Sequence, residues 1–225
     1  LRPPTDRVAC IGPRFQSQHM RSRPALLTVL AFLSVIVAGT VALHLLQCGR
    51  GSTGRLIDAA FMATSAVCVT GLSVIDLQTE SSPAVQFVIL ILMQVGGLGV
   101  LTLSNWVLLA LRRRIGLRGA ASTQETIGGL PHLSPSAMLW QVALFTFVVE
   151  AVGAVLLFAA FAGEFPPGEA VWLAVFHAVS AFCNAGFSLF SGSFTTYRGD
   201  WLVNLVLMGL IVLGGIGFVV AADVV

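Results

Sequence analysis

The chain has 225 residues, of which 56% are hydrophobic and only 10% charged, and its mean hydropathy is +0.92. Soluble domains carry about 25% charged residues, so this composition excludes an ordinary soluble domain and marks an all-α integral membrane protein. The net charge of +2 is too small to point to nucleic acid, and every basic residue is arginine, so the placement of these charges says more than their sum.

Residues 1–23 lack the apolar core and small-residue cleavage site of a signal peptide and read as a cytoplasmic N-terminal extension. The initial Leu reads as the mark of a fragment or a misassigned start. From Pro24 to about Leu46 the chain is almost continuously apolar. At about 1.5 Å per residue, a run of about 23 residues crosses a hydrocarbon core of about 30 Å, so this is the first span. After the QCGRGSTGR turn, Asp58 is placed to cap a helix that runs to about Val69. About 12 residues are too few to cross, so this helix should enter the membrane and return. An element broken at membrane depth is tolerated only where its unpaired backbone is buried in protein or faces a water-filled cavity. A second span runs from Pro83 to about Leu111 and stops at Arg112, Arg113 and Arg114.

A linker over 112–135 leads to a second unit on the same plan. It has a span from about Ser136 to Ala162, a turn at Pro166, Pro167 and Gly168, a short helix from Ala170 to Cys183, an NAGF loop and a last span from Trp201 to about Val220. The chain thus divides into an extension (1–23), a first repeat (24–111), a linker (112–135) and a second repeat (136–225). Arginines precede the first span and follow the second, whereas only Arg50, Arg55 and Arg198 fall on the other side. The positive-inside rule places the N-terminus and the linker in the cytoplasm. Each unit crosses twice, so the repeats are parallel, with four transmembrane helices and two re-entrant loops.

The two short helices and their loops are written in the same grammar. AFMATSAVCVTGLS at 60–73 aligns with VFHAVSAFCNAGFS at 175–188, with identity at Phe61/Phe176, Ala63/Ala178, Ser65/Ser180, Ala66/Ala181, Cys68/Cys183, Gly71/Gly186 and Ser73/Ser188. A potassium ion sheds its water where several consecutive carbonyls turn toward one axis to replace it. Glycine reaches the necessary dihedrals because it has no Cβ. Gly71 and Gly186 are therefore the leading candidates for an ion filter. Val69, Thr70, Asn184 and Ala185 supply further backbone oxygens, and Cys68, Leu72, Cys183 and Phe187 support them. Each short helix also aims its C-terminal end, with about half a negative charge, at its loop. The bland alternative is that TGL and NAGF are ordinary glycine C-caps, and the aligned duplication argues against it.

VGGLG at 95–99 answers LGGIG at 213–217. Gly96, Gly97, Gly99, Gly214, Gly215 and Gly217 are read as close-packing surfaces or as hinges, with packing preferred. Glu150 lies deep in a span and carries either a functional role or a buried hydrogen bond to another helix or loop. His177 aligns with Met62 and reads as packed beside the loop; no His or Cys partner stands at metal spacing. Cys68 and Cys183 occupy equivalent positions, so the cysteines form no disulfide framework. Nothing pairs a nucleophile with a base, and the chain is not read as an enzyme.

The segments DAAFMATSAVCVTGLSVID and QFVILILMQVGGLGVLT, with FHAVSAFCNAGFSLF and VLGGIGF, resemble the Trk/Ktr/HKT superfamily of potassium transporters, most closely the Ktr-type membrane subunit. The resemblance covers about residues 24–225 and the first two of four repeats. It implies potassium uptake across the plasma membrane, with potassium as cargo, sodium as a coupling ion in some members and no cofactor in this chain. It maps one filter glycine of each repeat onto Gly71 and Gly186, with glycine at 71 favouring potassium over sodium. It further implies a homodimer or higher assembly in membrane lipid, resting on a cytoplasmic nucleotide-binding regulatory subunit. The alternative is a truncated, non-conducting scaffold or assembly subunit of such a transporter.

Overall fold

The structure, a computed structural model, describes residues 23–47, 56–99 and 135–216. Most of the extension, most of the 112–135 linker, the arginine cluster and Gly217 lie outside these residues. Six α-helices and a short 3-10 helix make up the regular structure among the described residues, in the order α1 (Arg23–Gln47), α2 (Leu56–Val67), α3 (Pro83–Gly99), α4 (Pro135–Phe161), α5 (Pro167–Phe182), the 3-10 turn Ser193–Tyr197 and α6 (Trp201–Ile216).

The apolar runs set the two long helices. Within α1 and α4, Thr28–Gln47 and Trp140–Phe161 are long and apolar enough to cross a membrane. Their outer faces carry Leu30, Leu33, Val37 and Val41, and Phe147, Val148, Val152 and Val155, all exposed. Large apolar side chains facing outward are what a lipid-facing helix needs. The described parts of α3 and α6 are shorter, at Pro83–Gly99 and Trp201–Ile216. The start of α6 is fixed by Asp200, whose Oδ1 accepts from the N–H groups of Leu202 and Val203 at 2.8 and 3.1 Å. This is an N-cap that satisfies two otherwise orphaned donors.

Two helix starts differ from expectation. α2 begins at Leu56, so Asp58 lies inside its first turn rather than capping it. The carboxylate still faces the positive end of the helix dipole there. α5 begins at Pro167, three residues before Ala170, because a proline with its fixed φ is already shaped for the first helical position and has no N–H to leave unpaired.

Small residues bring the helices together. Gly39 of α1 lies against Leu92 of α3, Gly99 of α3 against Phe32 of α1, and Gly153 of α4 against Leu210 of α6. A second element of the core is aromatic: Phe161, Phe176, Phe190 and Phe194 surround His177, with the imidazole stacked on Phe190 at 4.8 Å and edge-on to Phe194 at 4.7 Å. The two halves meet along α3. There Trp172 Nε1 donates to Gln86 Oε1 at 2.7 Å, and the Gln94 amide reaches Glu150. Beyond α3, the Ser191 N–H donates to Gln78 Oε1 at 2.9 Å, and the Ser191 hydroxyl oxygen lies 3.0 Å from the same atom.

Candidate ion-binding loops

The two short helices end identically in hydrogen bonding. The N–H groups of Cys68, Val69 and Thr70 donate to the carbonyls of Thr64, Ala66 and Ser65 at 2.9, 3.3 and 2.8 Å; those of Cys183, Asn184 and Ala185 donate to Val179, Ala181 and Ser180 at 2.9, 3.0 and 2.7 Å. The 6→1 and 5→2 bonds of this set form a Schellman cap, which requires a left-handed residue just past the helix. That residue is Val69 in one loop, at φ 56°, and Asn184 in the other, at φ 58°. Asparagine visits this region readily, but a β-branched valine does so only under constraint.

Two residues later the backbone turns left-handed again, at Gly71 (φ 78°) and Gly186 (φ 71°). Thr70 and Ala185, between them, do not have positive φ. A strand points successive carbonyls to opposite sides, whereas alternating left- and right-handed residues brings neighbouring carbonyls toward one side. Both loops carry positive φ at the same positions, 69 and 71 in one and 184 and 186 in the other. They also touch: a Cβ added at Gly71 would lie 2.3 Å from the Ala185 oxygen and 3.0 Å from the Gly186 Cα. Sequence positions 69–71 and 184–186 are thus brought side by side.

Beneath the loops, the glycine runs of α3 and α6 lie against the helix ends. A Cβ at Gly96 would stand 2.1 Å from the Val67 oxygen, and one at the aligned Gly214 would stand 1.8 Å from the Phe182 oxygen. Each glycine therefore abuts the last-turn carbonyl of the short helix in its own half. Gly97 reaches across to the other half, where its Cβ would fall 2.5 Å from Cys183 Sγ; among the described residues Gly215 has only the Asn184 amide near it, at 3.9 Å.

The supporting side chains differ between the halves. Ser180 Oγ donates to the Phe187 carbonyl at 2.7 Å and anchors the exit of the second loop. Its counterpart Ser65 is buried with no partner among the described residues. Phe187 is buried whereas the aligned Leu72 is 58% exposed, and Cys183 is buried whereas Cys68 is exposed. His177 is also part of this scaffold. Its Nε2 accepts from the Leu189 N–H at 3.0 Å, so the proton sits on Nδ1, which donates to the Leu173 carbonyl at 2.8 Å. Ser188 Oγ lies 3.2 Å from the same Nε2, and in the first half the aligned Ser73 donates to Met62 Sδ at 3.4 Å. Sequence identity at Ser65/Ser180 and Ser73/Ser188 was the available signal for these anchors. Nothing in the sequence marked Gln94, whose Nε2 lies 3.0 and 3.1 Å from the Glu150 oxygens.

Outside the helices, the Ser191 side chain, together with the Gln78 and Thr79 N–H groups and the Thr79 hydroxyl, holds the Asp76 carboxyl below its ordinary value. Burial and the neighbouring Glu164 carboxylate, which accepts from the phenol at 2.6 Å, push the Tyr197 hydroxyl up. Among the described residues no three His, Cys, Asp or Glu side chains gather as metal ligands.

The chain matches the family described as TrkH, cation transport protein, over residues 13–225. Ktr system potassium uptake protein B of Vibrio alginolyticus is 38% identical over 196 residues, which cover 87% of this chain and 43% of that protein. Ktr system potassium uptake protein B of Bacillus subtilis is 36% identical over 210 residues, covering 91% and 46%. The potassium/sodium uptake protein NtpJ of Enterococcus hirae is 33% identical over 205 residues, covering 91% and 46%. The chain spans less than half the length of these relatives. Its loops and glycine-bearing helices all fall within the matched region, and the chain belongs to the TrkH family of cation transport proteins.

Proposed function

We propose that the chain carries the first two of four pore repeats of a Trk/Ktr-type potassium uptake protein. In this reading α2 and α5 are re-entrant pore helices, and the loops after them are half of a selectivity filter. The observation that carries it is the shared backbone of the two loops, left-handed at Val69 and Gly71 and again at Asn184 and Gly186. Backbone carbonyls of such loops, at the negative ends of two helices, are suited to strip and hold a cation without any acidic side chain. Potassium is the cargo, as the names of the Ktr relatives say of those proteins, and the name of NtpJ motivates sodium as a second or coupling ion.

Two loops supply half of a fourfold ring. Further copies of the loop complete it, in keeping with relatives about twice as long. Gly97 receives the residue that closes the helix of the following repeat, and the aligned Gly215 is available to receive that of a third. The protein sits in the plasma membrane with its N-terminus and the 112–135 linker in the cytoplasm. It works as a homodimer or larger assembly on a cytoplasmic nucleotide-binding regulatory subunit.

The test is rubidium uptake by cells lacking their own potassium uptake systems and expressing the gene that encodes this chain, unaltered or with Gly71→Ser. Uptake that prefers rubidium to sodium, with the preference reduced by the substitution, is expected. Unchanged selectivity in Gly71→Ser would remove Gly71 from the filter.

A further inference from the structure

Glu150 is the one acidic residue within the membrane-length helices among the described residues, and it is only 5% exposed. A carboxylate in such a place is costly unless partnered. Its partner is Gln94 of α3, whose Nε2 lies 3.0 Å from Oε1 and 3.1 Å from Oε2. The pair forms one wall of a crevice of about 360 Å³ between α3, α4 and α5, otherwise lined by apolar side chains such as Leu90, Phe147, Val175 and Val179. Few competing polar groups can replace the amide.

The same carboxylate accepts a long contact, 3.9 Å, from the Cys183 thiol. Cys183 is the C-cap of α5 and immediately precedes the left-handed Asn184. On its other side is Gly97, which stands on the same face of α3 as Gln94, three residues on, and approaches Sγ so closely that a Cβ there would lie 2.5 Å from it. The first residue of the second loop is therefore held between a helix of the other half and a carboxylate that this same helix fixes. Among the described residues the first loop has no such grip, since Cys68 is exposed.

We infer that Gln94 and Glu150 are positioning residues: by fixing Cys183 they set the second loop against the first, and with it the spacing of the candidate filter. The role in selectivity rests on the transport reading above; the grip on Cys183 does not.

Two readouts keep the claims apart. The first is maleimide labelling of Cys183 in membranes, in a background of Cys10→Ser, Cys48→Ser and Cys68→Ser. The second is the rubidium KM and the rubidium-over-sodium preference at matched membrane abundance. Gln94→Leu removes the donor at similar volume, and is expected to raise both the Cys183 labelling rate and the rubidium KM roughly tenfold, the loss of one hydrogen bond to a charged group. The exchange Gln94→Glu with Glu150→Gln rebuilds the pair in reverse, and is expected to recover most of both losses. Unchanged labelling and selectivity in Gln94→Leu, or an exchange no better than either single substitution, would overturn the inference. An unaltered protein that takes up no rubidium would overturn the transport reading, and the labelling would still decide whether the pair holds Cys183.

Discussion

Gly71 and Gly186 occupy aligned positions with similar left-handed backbones, yet the structure separates the consequences of adding a methyl group to each. Either substitution to alanine costs about 1–2 kcal/mol for forcing an L side chain into positive φ. Gly186→Ala adds little beyond that, since among the described residues its Cβ would meet only the Gly71 Cα, at an ordinary 3.5 Å. Gly71→Ala places its Cβ 2.3 Å from the Ala185 oxygen. A carbon and a carbonyl oxygen settle at about 3.3 Å or more, so the loops must part by about 1 Å. The obstructing atoms are backbone and cannot swing aside as a side chain could. Overpacking of this kind adds about 1–3 kcal/mol, and a displacement of about 1 Å in a positioning group can cost about 10²-fold in rate. Rubidium uptake at matched membrane abundance, with KM, maximal rate and sodium competition measured for both variants, is the assay. Gly71→Ala should lose uptake or selectivity by at least tenfold more than Gly186→Ala, the equivalent of about 1.4 kcal/mol. Equal losses, or a greater loss in Gly186→Ala, would show that contact between the loops does not set their spacing.

Gly214→Ala and Gly96→Ala, each driving a Cβ into a helix-end carbonyl, should lower thermal stability in detergent by about 1–3 kcal/mol. Gly209→Ala, with nothing among the described residues within 4 Å of its Cβ, should be close to neutral in the same melt. Ser180→Ala should destabilise by about 1 kcal/mol or more through the lost bond to the Phe187 carbonyl, whereas Ser65→Ala should be neutral; paired melts and uptake rates check this. The Asp76 carboxyl is held below its ordinary value of 3.8, chiefly by Ser191. Its contribution to the joined outer loops is complete above that ordinary value and is lost as pH falls through the lower folded-state value. Asp76→Asn should therefore leave the pH profile of uptake unchanged between about pH 5 and 8, and a profile that shifts within that window would contradict the assignment.

The long helices were legible because α1 and α4 are uninterrupted apolar runs, and their observed ends fall within a residue or two of those read from Pro24, Leu46, Ser136 and Ala162. The loops were legible as a pair because identity at Cys68/Cys183 and Gly71/Gly186 survives at a fixed offset. Their dihedral pattern was only half visible. Glycine announces positive φ and asparagine permits it, but Val69 is left-handed because the Schellman cap demands it, against the residue's own preference. The start of α2 was misplaced because Asp58 serves a first turn as well as a cap. Contacts across the halves were the least accessible. Gln94 and Glu150 stand 56 positions apart in the sequence, and no periodicity within either helix specifies that one faces the other.

In the proposed function the backbone oxygens of the two loops hold the ion. Anomalous diffraction from crystals of the complete transporter in rubidium tests it most directly. A rubidium peak ringed by the carbonyl oxygens of residues 69–71 and 184–186 and of their equivalents in the rest of the protein is expected. A peak lodged instead beside the Glu150 carboxylate, with none at the loops, would contradict it.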